Sequence, residues 1–74
     1  YTQRALEIKF KNETGIIEQL NHEISAMCIK TVVRQQVKEQ DFSILYLDVK
    51  LNSTDINIFL EYLINHNKIE YFKF

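Results

Sequence analysis

The 74-residue chain contains no proline, no tryptophan, a single glycine (Gly15) and a single cysteine (Cys28). One cysteine cannot form a disulfide within the chain, and no cluster of cysteine and histidine offers a structural metal site. The absence of a C-x-x-C pair also excludes the site of the small metal chaperones. A domain this short without a disulfide or a metal depends on packing alone, and such domains often gain burial from a partner or a second copy.

Long apolar runs and clustered charge are also missing from the sequence. No stretch has the length of a membrane-spanning helix, and the first residues lack the layout of a signal peptide. The 9 Lys and Arg and 10 Asp and Glu residues give a net charge of −1 and are interspersed along the chain. Because nucleic-acid-binding domains usually carry a clustered basic stripe, we expect no nucleic-acid partner. We expect a soluble cytoplasmic domain, or one at the cytoplasmic face of a membrane as part of a membrane protein, with no membrane insertion of its own.

The first half of the sequence predicts a strand, a helix and a second strand. Leu6, Ile8 and Phe10 alternate with charged residues, which is the pattern of a half-buried strand. Residues 12–15 (Asn-Glu-Thr-Gly) form a turn in which the Asn or the Thr can cap the following helix. The apolar stripe of that helix is Ile17, Leu20, Ile24 and Met27. Residues 29–37 are rich in β-branched side chains and predict a strand.

The second half repeats this plan after a polar link at residues 38–41. Alternating leucines and valine at residues 45–51 predict a strand that forms an antiparallel hairpin with the one before it. Residues 52–55 (Asn-Ser-Thr-Asp) predict a helix start, and Asn67 is the expected left-handed residue after the helix end. The helical stripe is Ile56, Phe59, Leu60 and Leu63. Residues 69–74 predict a last short strand.

The order strand, helix, strand, strand, helix, strand predicts an α+β fold of the ferredoxin-like βαββαβ type. Right-handed crossovers place both helices on one face of a four-stranded antiparallel sheet. The other face is open, and we expect Arg34, Gln36, Tyr46, Asp48 and Lys50 to line it. Because the chain starts at Tyr1 instead of a methionine and ends on an apolar run, we interpret residues 1–74 as a single domain excised from a longer protein.

The second strand lies at an edge of this predicted sheet, where unpaired backbone groups can bind another chain. It is long, β-branched and carries few charges, so we expect a homodimer in which Thr31, Val33 and Gln35 of this strand take part. A contact with the rest of the parent protein is the alternative.

No arrangement of residues in the sequence predicts catalysis. Cys28 has no histidine next to it in sequence and is interpreted as a small buried apolar residue. His22 falls on the polar side of its helix, and His66 suits the negative end of the second helix. RNA recognition through the sheet requires aromatic side chains on both central strands, and Tyr46 is the only candidate there. We therefore predict that the chain is not an enzyme and holds no metal or cofactor.

The turn at residues 12–15, followed by Ile16-Ile17-x-x-Leu20 on a helix, resembles the opening of an ACT domain. The closing helix and strand, from Asp55 to Phe74, are similar to the end of that family's fold. ACT domains are regulatory modules that commonly form dimers, and many bind an amino acid near the glycine turn. The resemblance implies a ligand site at Asn12, Gly15 and Ile16, although Asn12 stands where the family usually has an acidic residue and Thr14 where it often has a proline.

Two functions follow from the resemblance. The first is a non-catalytic regulatory or interaction domain that dimerises, as in the cytoplasmic C-terminal domain of MgtC/SapB-type bacterial membrane proteins. The second is an amino-acid-sensing ACT domain of a metabolic enzyme or a (p)ppGpp synthetase, with the helix N-terminus behind Gly15 binding the ligand.

Overall fold

The computed structural model describes residues 1–74, and its elements follow the predicted order. The strands and helices are β1 (Thr2–Lys11), α1 (Ile16–Met27), β2 (Lys30–Lys38), β3 (Phe42–Leu51), α2 (Ile56–Asn65) and β4 (Ile69–Lys73). One turn of 3₁₀ helix, Ser53–Asp55, precedes α2.

The four strands form one antiparallel sheet in the order β2-β3-β1-β4. The two central strands pair along their whole length, from Thr2 opposite Leu51 to Lys11 opposite Phe42. Each strand–helix–strand unit passes over one central strand: β1-α1-β2 passes over β3, and β3-α2-β4 passes over β1. The strands β2 and β4 are therefore the edges of the sheet. The predicted ferredoxin-like α+β fold is confirmed.

The core lies between the helices and one face of the sheet. Alternate residues of the two central strands point into it, including Leu6, Ile8 and Phe10 of β1. The buried side chains of both helices belong to the same cluster, so both helices cover the same face. The twelve core residues are Leu6, Ile8, Phe10, Ile16, Leu20, Ile24, Leu45, Leu47, Val49, Leu51, Phe59 and Leu63.

The helix ends differ from the prediction. Neither helix has a side-chain hydrogen bond to its N-terminus, so the predicted capping by Asn12 or Thr14 is wrong. Gly15 itself occupies the capping position with φ 80°, a conformation that glycine adopts without steric cost. The predicted left-handed Asn67 is also wrong, because no residue other than Gly15 has a positive φ. The predicted start at residues 52–55 forms the 3₁₀ turn, and α2 begins at Ile56.

Two bulges change the faces of the edge strands. In β2 the register shifts between Val33, opposite Leu47, and Gln35, opposite Tyr46, which leaves Arg34 as the extra residue. Directly opposed residues share a face, so Gln36, opposite the buried Leu45, lies on the helix side. The expected position of Gln36 on the open face is therefore wrong. A second bulge, at Glu70, interrupts the pairing of β4 with β1.

Candidate functional site

The outer edge of β2 is the longest unpaired stretch of backbone in the fold. The strand has nine residues, against five in the other edge strand, β4. Val32 and Val33 are 44% and 46% exposed, on opposite faces, and Ile29 just before the strand is 54% exposed. Apolar side chains beside free backbone donors and acceptors favour pairing with another strand.

The structure separates the three residues predicted to take part in a dimer. Thr31 and Val33 lie opposite Val49 and Leu47, on the helix side of the sheet. Gln35 lies opposite Tyr46, on the open face, because the bulge at Arg34 shifts the alternation. The three residues still share the outer edge, but their side chains do not form one row.

Cys28 and Thr31 lie together where α1 passes into β2. Cys28 is half-buried, and burial raises the pKa of its thiol, while a weak contact from the Thr31 hydroxyl acts in the opposite direction. The Thr31 hydroxyl oxygen is buried and makes no full hydrogen bond. A thiol with a raised pKa holds little thiolate at neutral pH, which is the property of a structural cysteine.

Both polar atoms of the Asn12 carboxamide form hydrogen bonds within the fold. Its Nδ2 donates to the carbonyl oxygens of Glu39 and Gln40 at 2.8 and 3.3 Å, and its Oδ1 accepts from Ser43 Oγ at 2.6 Å. Its backbone N–H donates to the carbonyl of Asp41 at 3.0 Å. Asn12 therefore ties the β1–α1 turn to the β2–β3 hairpin and has no free donor for a ligand.

Gly15 and Ile16, the other two residues of the predicted ligand site, have different environments. Gly15 is exposed, and no atom lies within 4 Å of the position where a Cβ would stand. The side chain of Ile16 is buried in the core instead of lining a surface site. An ion pair between Glu13 and Lys68 connects this turn to the loop before β4. The structure thus brings the three residues close in the chain without forming a shared polar pocket from them.

A hydrogen-bonded cluster that the sequence did not reveal joins the two helices. Glu23 of α1 accepts from Tyr62 Oη at 2.7 Å and from His66 Nε2 at 2.9 Å. The backbone N–H of Lys68 donates to His66 Nδ1, so the proton of the neutral imidazole stands on Nε2 and points at Glu23. Gln19 donates to the second carboxylate oxygen at 3.1 Å.

The ionisation of this cluster follows from its hydrogen bonds. The Tyr62 hydroxyl, together with Gln19 and His66, lowers the pKa of Glu23 against the opposing effect of burial. Burial raises the pKa of Tyr62, and the neighbouring carboxylate raises it further. The ring of His66 stands edge-on to Tyr62 with centroids 5.3 Å apart. These contacts form a polar clasp between α1 and α2. The sequence gives no local signal of the clasp, because 39 positions separate Glu23 from Tyr62.

No family profile, no curated protein and no solved structure matches this chain. No group of three or more His, Cys, Asp or Glu side chains is placed to hold a metal ion. No helix is long and apolar enough to cross a membrane.

Proposed function

We propose that the chain is a non-catalytic interaction domain that forms a homodimer through the outer edge of β2. The observation that carries the proposal is the exposed edge itself, with Val32 and Val33 uncovered beside nine residues of strand. Antiparallel pairing of two such edges joins two four-stranded sheets into one of eight strands, with backbone hydrogen bonds supplying most of the contact. A second copy is the occupant because two copies of this edge can pair without opposing cations when Val33 lies on the two-fold axis.

A pairing with Val33 on the two-fold axis sets Val32 opposite Arg34, both on the open face, so no two cations face each other at the axis. A two-fold axis at Arg34 instead opposes Arg34 to its own copy, and an axis at Val32 opposes Lys30 to Arg34. Like charges directly opposite destabilise a strand pair. Charge therefore disfavours these two neighbouring registers relative to the one centred on the exposed Val33, and the bulge at Arg34 interrupts the pairing beyond it.

The dimer is tested by sedimentation velocity over a range of concentrations. We expect the protein to shift from monomer to dimer as its concentration rises into the high micromolar range. Val33→Lys places two like charges together at the axis and should abolish the shift. Ile64→Lys changes a more exposed apolar residue on α2, away from β2, and should leave the shift unchanged. A monomer at high micromolar concentration, or an equal effect of both substitutions, contradicts the proposal.

The proposed biological setting is the regulatory role of an ACT-like domain, with an MgtC/SapB-type bacterial membrane protein as the parent. The support is the resemblance of the strand, turn and helix around Gly15, together with the edge of β2. Amino-acid sensing, the alternative, is less favoured because the carboxamide of Asn12 is hydrogen-bonded within the fold and Ile16 is buried. A thermal-shift screen with the amino acids separates the two: a rise of several degrees for one of them supports sensing.

A further inference from the structure

The fold sorts the charges of this chain onto two opposite faces. Residues that lie directly opposite each other in the sheet share a face, and the charged outward-pointing residues of β1 and β3 are three lysines (Lys9, Lys11 and Lys50) and two acids. The open face carries two acidic side chains at paired positions, Glu7 and Asp48, and Glu70 of the β4 bulge borders a depression together with Lys11. It carries six cationic ones: Lys9, Lys11, Lys30, Arg34, Lys50 and Lys73. With Glu70 counted, its net charge is about +3, in a chain whose total is −1.

Most of these cations have no carboxylate partner. Arg34 forms the only ion pair on this face, with Asp48 at 3.5 Å, and both side chains are more than half exposed. Lys50 and Lys9 instead rest over aromatic rings, with Nζ 3.9 Å from the ring centroid of Tyr1 and 4.1 Å from that of Phe42. The face thus presents uncompensated positive charge.

One pair of cations on this face is unfavourable within the isolated chain. Lys30 lies directly opposite Lys50 on the neighbouring strand. Like charges in this position destabilise a sheet, and an external anion between them removes the repulsion. Both lysines border a shallow depression whose other lining residues include Gln3 and Val32.

The cations lie over the breadth of the face and not along a groove. Lys30 and Lys50 stand at one end of the sheet. Lys9 and Lys11 stand toward the other end, opposite residues that lie six and eight positions from Lys50 along β3. At about 3.4 Å per residue these separations are about 20 and 27 Å. A single nucleic-acid strand is usually held in a groove with free aromatic rings for its bases. The expectation that Tyr46 is the only aromatic candidate on the central strands is wrong, because Phe42 of β3 also lies on the open face, with Lys9 over its ring. However, β1 offers no aromatic side chain to this face, and Glu7 and Asp48 stand between the basic ends.

We propose that the open sheet face binds the surface of an anionic lipid bilayer, with its lysines at the headgroups and the acidic helix side turned away. A bilayer presents a plane of phosphates that matches a broad basic face. The exposed side chains of Tyr1 and Tyr71, 78% and 49% exposed, belong to a residue type enriched at membrane interfaces. Binding of this kind is peripheral and requires no apolar segment that enters the bilayer.

Sedimentation with vesicles tests this binding. We expect the chain to bind vesicles of phosphatidylglycerol and phosphatidylcholine in equal parts, and not vesicles of phosphatidylcholine alone. Because the attraction is screened, raising potassium chloride from about 50 mM to 500 mM should release the protein. Each cation near an anionic surface adds about fivefold to the affinity, so Lys30→Glu with Lys50→Glu should weaken binding by roughly thirtyfold or more.

The matched control for the single variant Lys30→Glu is Lys38→Glu, which changes net charge equally but lies on the helix side, opposite Ser43. It should keep most of the binding, and Lys9→Glu with Lys11→Glu should lose it like the first double variant. Circular dichroism confirms that each variant is folded. Equal binding to neutral vesicles, no binding to anionic ones, or equal losses in the test and control variants overturns the proposal. Tighter binding to a single-stranded oligonucleotide than to vesicles, or full competition by millimolar inorganic phosphate, also overturns it.

Discussion

Ser43 Oγ lies 2.6 Å from Asn12 Oδ1, and this hydrogen bond joins the only buried polar residue of the core to the turn before α1. A buried hydroxyl without a partner costs about 1–3 kcal/mol, so the contact matters to Ser43 as well as to Asn12. The Nδ2 of Asn12 continues the connection to Glu39 and Gln40. A single carboxamide therefore fixes the relative positions of two turns.

Asn12→Asp should destabilise the fold although it introduces the acidic residue that the ACT family usually has there. A carboxylate cannot donate, and it would face the carbonyl oxygens of Glu39 and Gln40. We expect a loss of about 2 kcal/mol at pH 7, measured by urea unfolding. Protonation of the new carboxyl restores one donor, so the deficit should shrink below about pH 4. Asn67→Asp, at an exposed loop position, is the control and should change stability by less than about 0.5 kcal/mol. An Asn12→Asp variant as stable as the original chain contradicts the structural role.

Substitutions at Gly15 should cost stability through the backbone alone. Its φ of 80° is unfavourable for residues with a Cβ, yet no atom would meet that Cβ. We expect Gly15→Ala to lose about 1 kcal/mol, and Gly15→Asn clearly less, because asparagine tolerates the left-handed conformation. Thermal unfolding measures both: 1 kcal/mol corresponds to about 4–8 °C in a domain of this size. Equal losses for the two variants would indicate a contact at this position instead of backbone strain.

Phe59 holds the C-terminal strand to α2. Its side chain is fully buried, and its ring centroid lies 5.4 Å from that of Phe74 and 6.1 Å from that of Tyr62. Phe59→Ala should cost about 3–5 kcal/mol, a large part of the stability of a small domain. Chemical denaturation should show the variant largely unfolded, whereas Ile58→Ala, one residue away and mostly exposed, should change stability by about 0.5 kcal/mol or less. Similar effects of the two substitutions would contradict this account of the core.

The fold was predictable because its signals are local. The alternation at Leu6, Ile8 and Phe10 and the stripe at Leu20 and Ile24 each fall within one element, and the structure buries all five. The prediction of which helix residues are buried was less accurate at the margins of the apolar stripes. Ile17, Met27 and Leu60 are only half-buried, whereas Ile16, just before the predicted stripe, is buried. The exact start of a helix depends on the turn before it, so the predicted stripe of α1 began one residue late, at Ile17 instead of Ile16.

The features that the sequence concealed depend on pairing between distant elements. The bulge at Arg34 has no glycine or proline to mark it, and it becomes visible only once Val33 and Gln35 are paired with β3. Lys9 and Lys11 of β1 and Lys50 of β3 alternate with core residues, so they stay apart in sequence. The pleat then gathers them on one face, which composition and local pattern do not show.

The clasp between the helices predicts a dependence of stability on pH. Hydrogen bonds in the native state lower the pKa of Glu23 from its ordinary value of 4.5. A carboxyl whose pKa is lower in the folded state stabilises the fold above its unfolded pKa, and this contribution is lost as pH falls through the folded value. Between pH 7 and about 5 the contribution should be complete, and below about 4.5 it should decline.

Tyr62→Phe removes the largest of these influences on Glu23 and should bring its pKa back toward the ordinary value. Because the carboxylate is about one-third exposed, we expect a loss of only about 1 kcal/mol at pH 7. As pH falls through the folded-state pKa of Glu23, the variant should differ progressively less from the original chain, since the carboxyl then becomes protonated in both. Urea unfolding over a pH series from 7 downward measures this difference, and NMR titration of the Glu23 side chain measures the pKa directly. Tyr46→Phe, on the open face, is the matched control and should leave the Glu23 titration unchanged. A Glu23 pKa that is the same with and without the Tyr62 hydroxyl would show that the clasp does not set it.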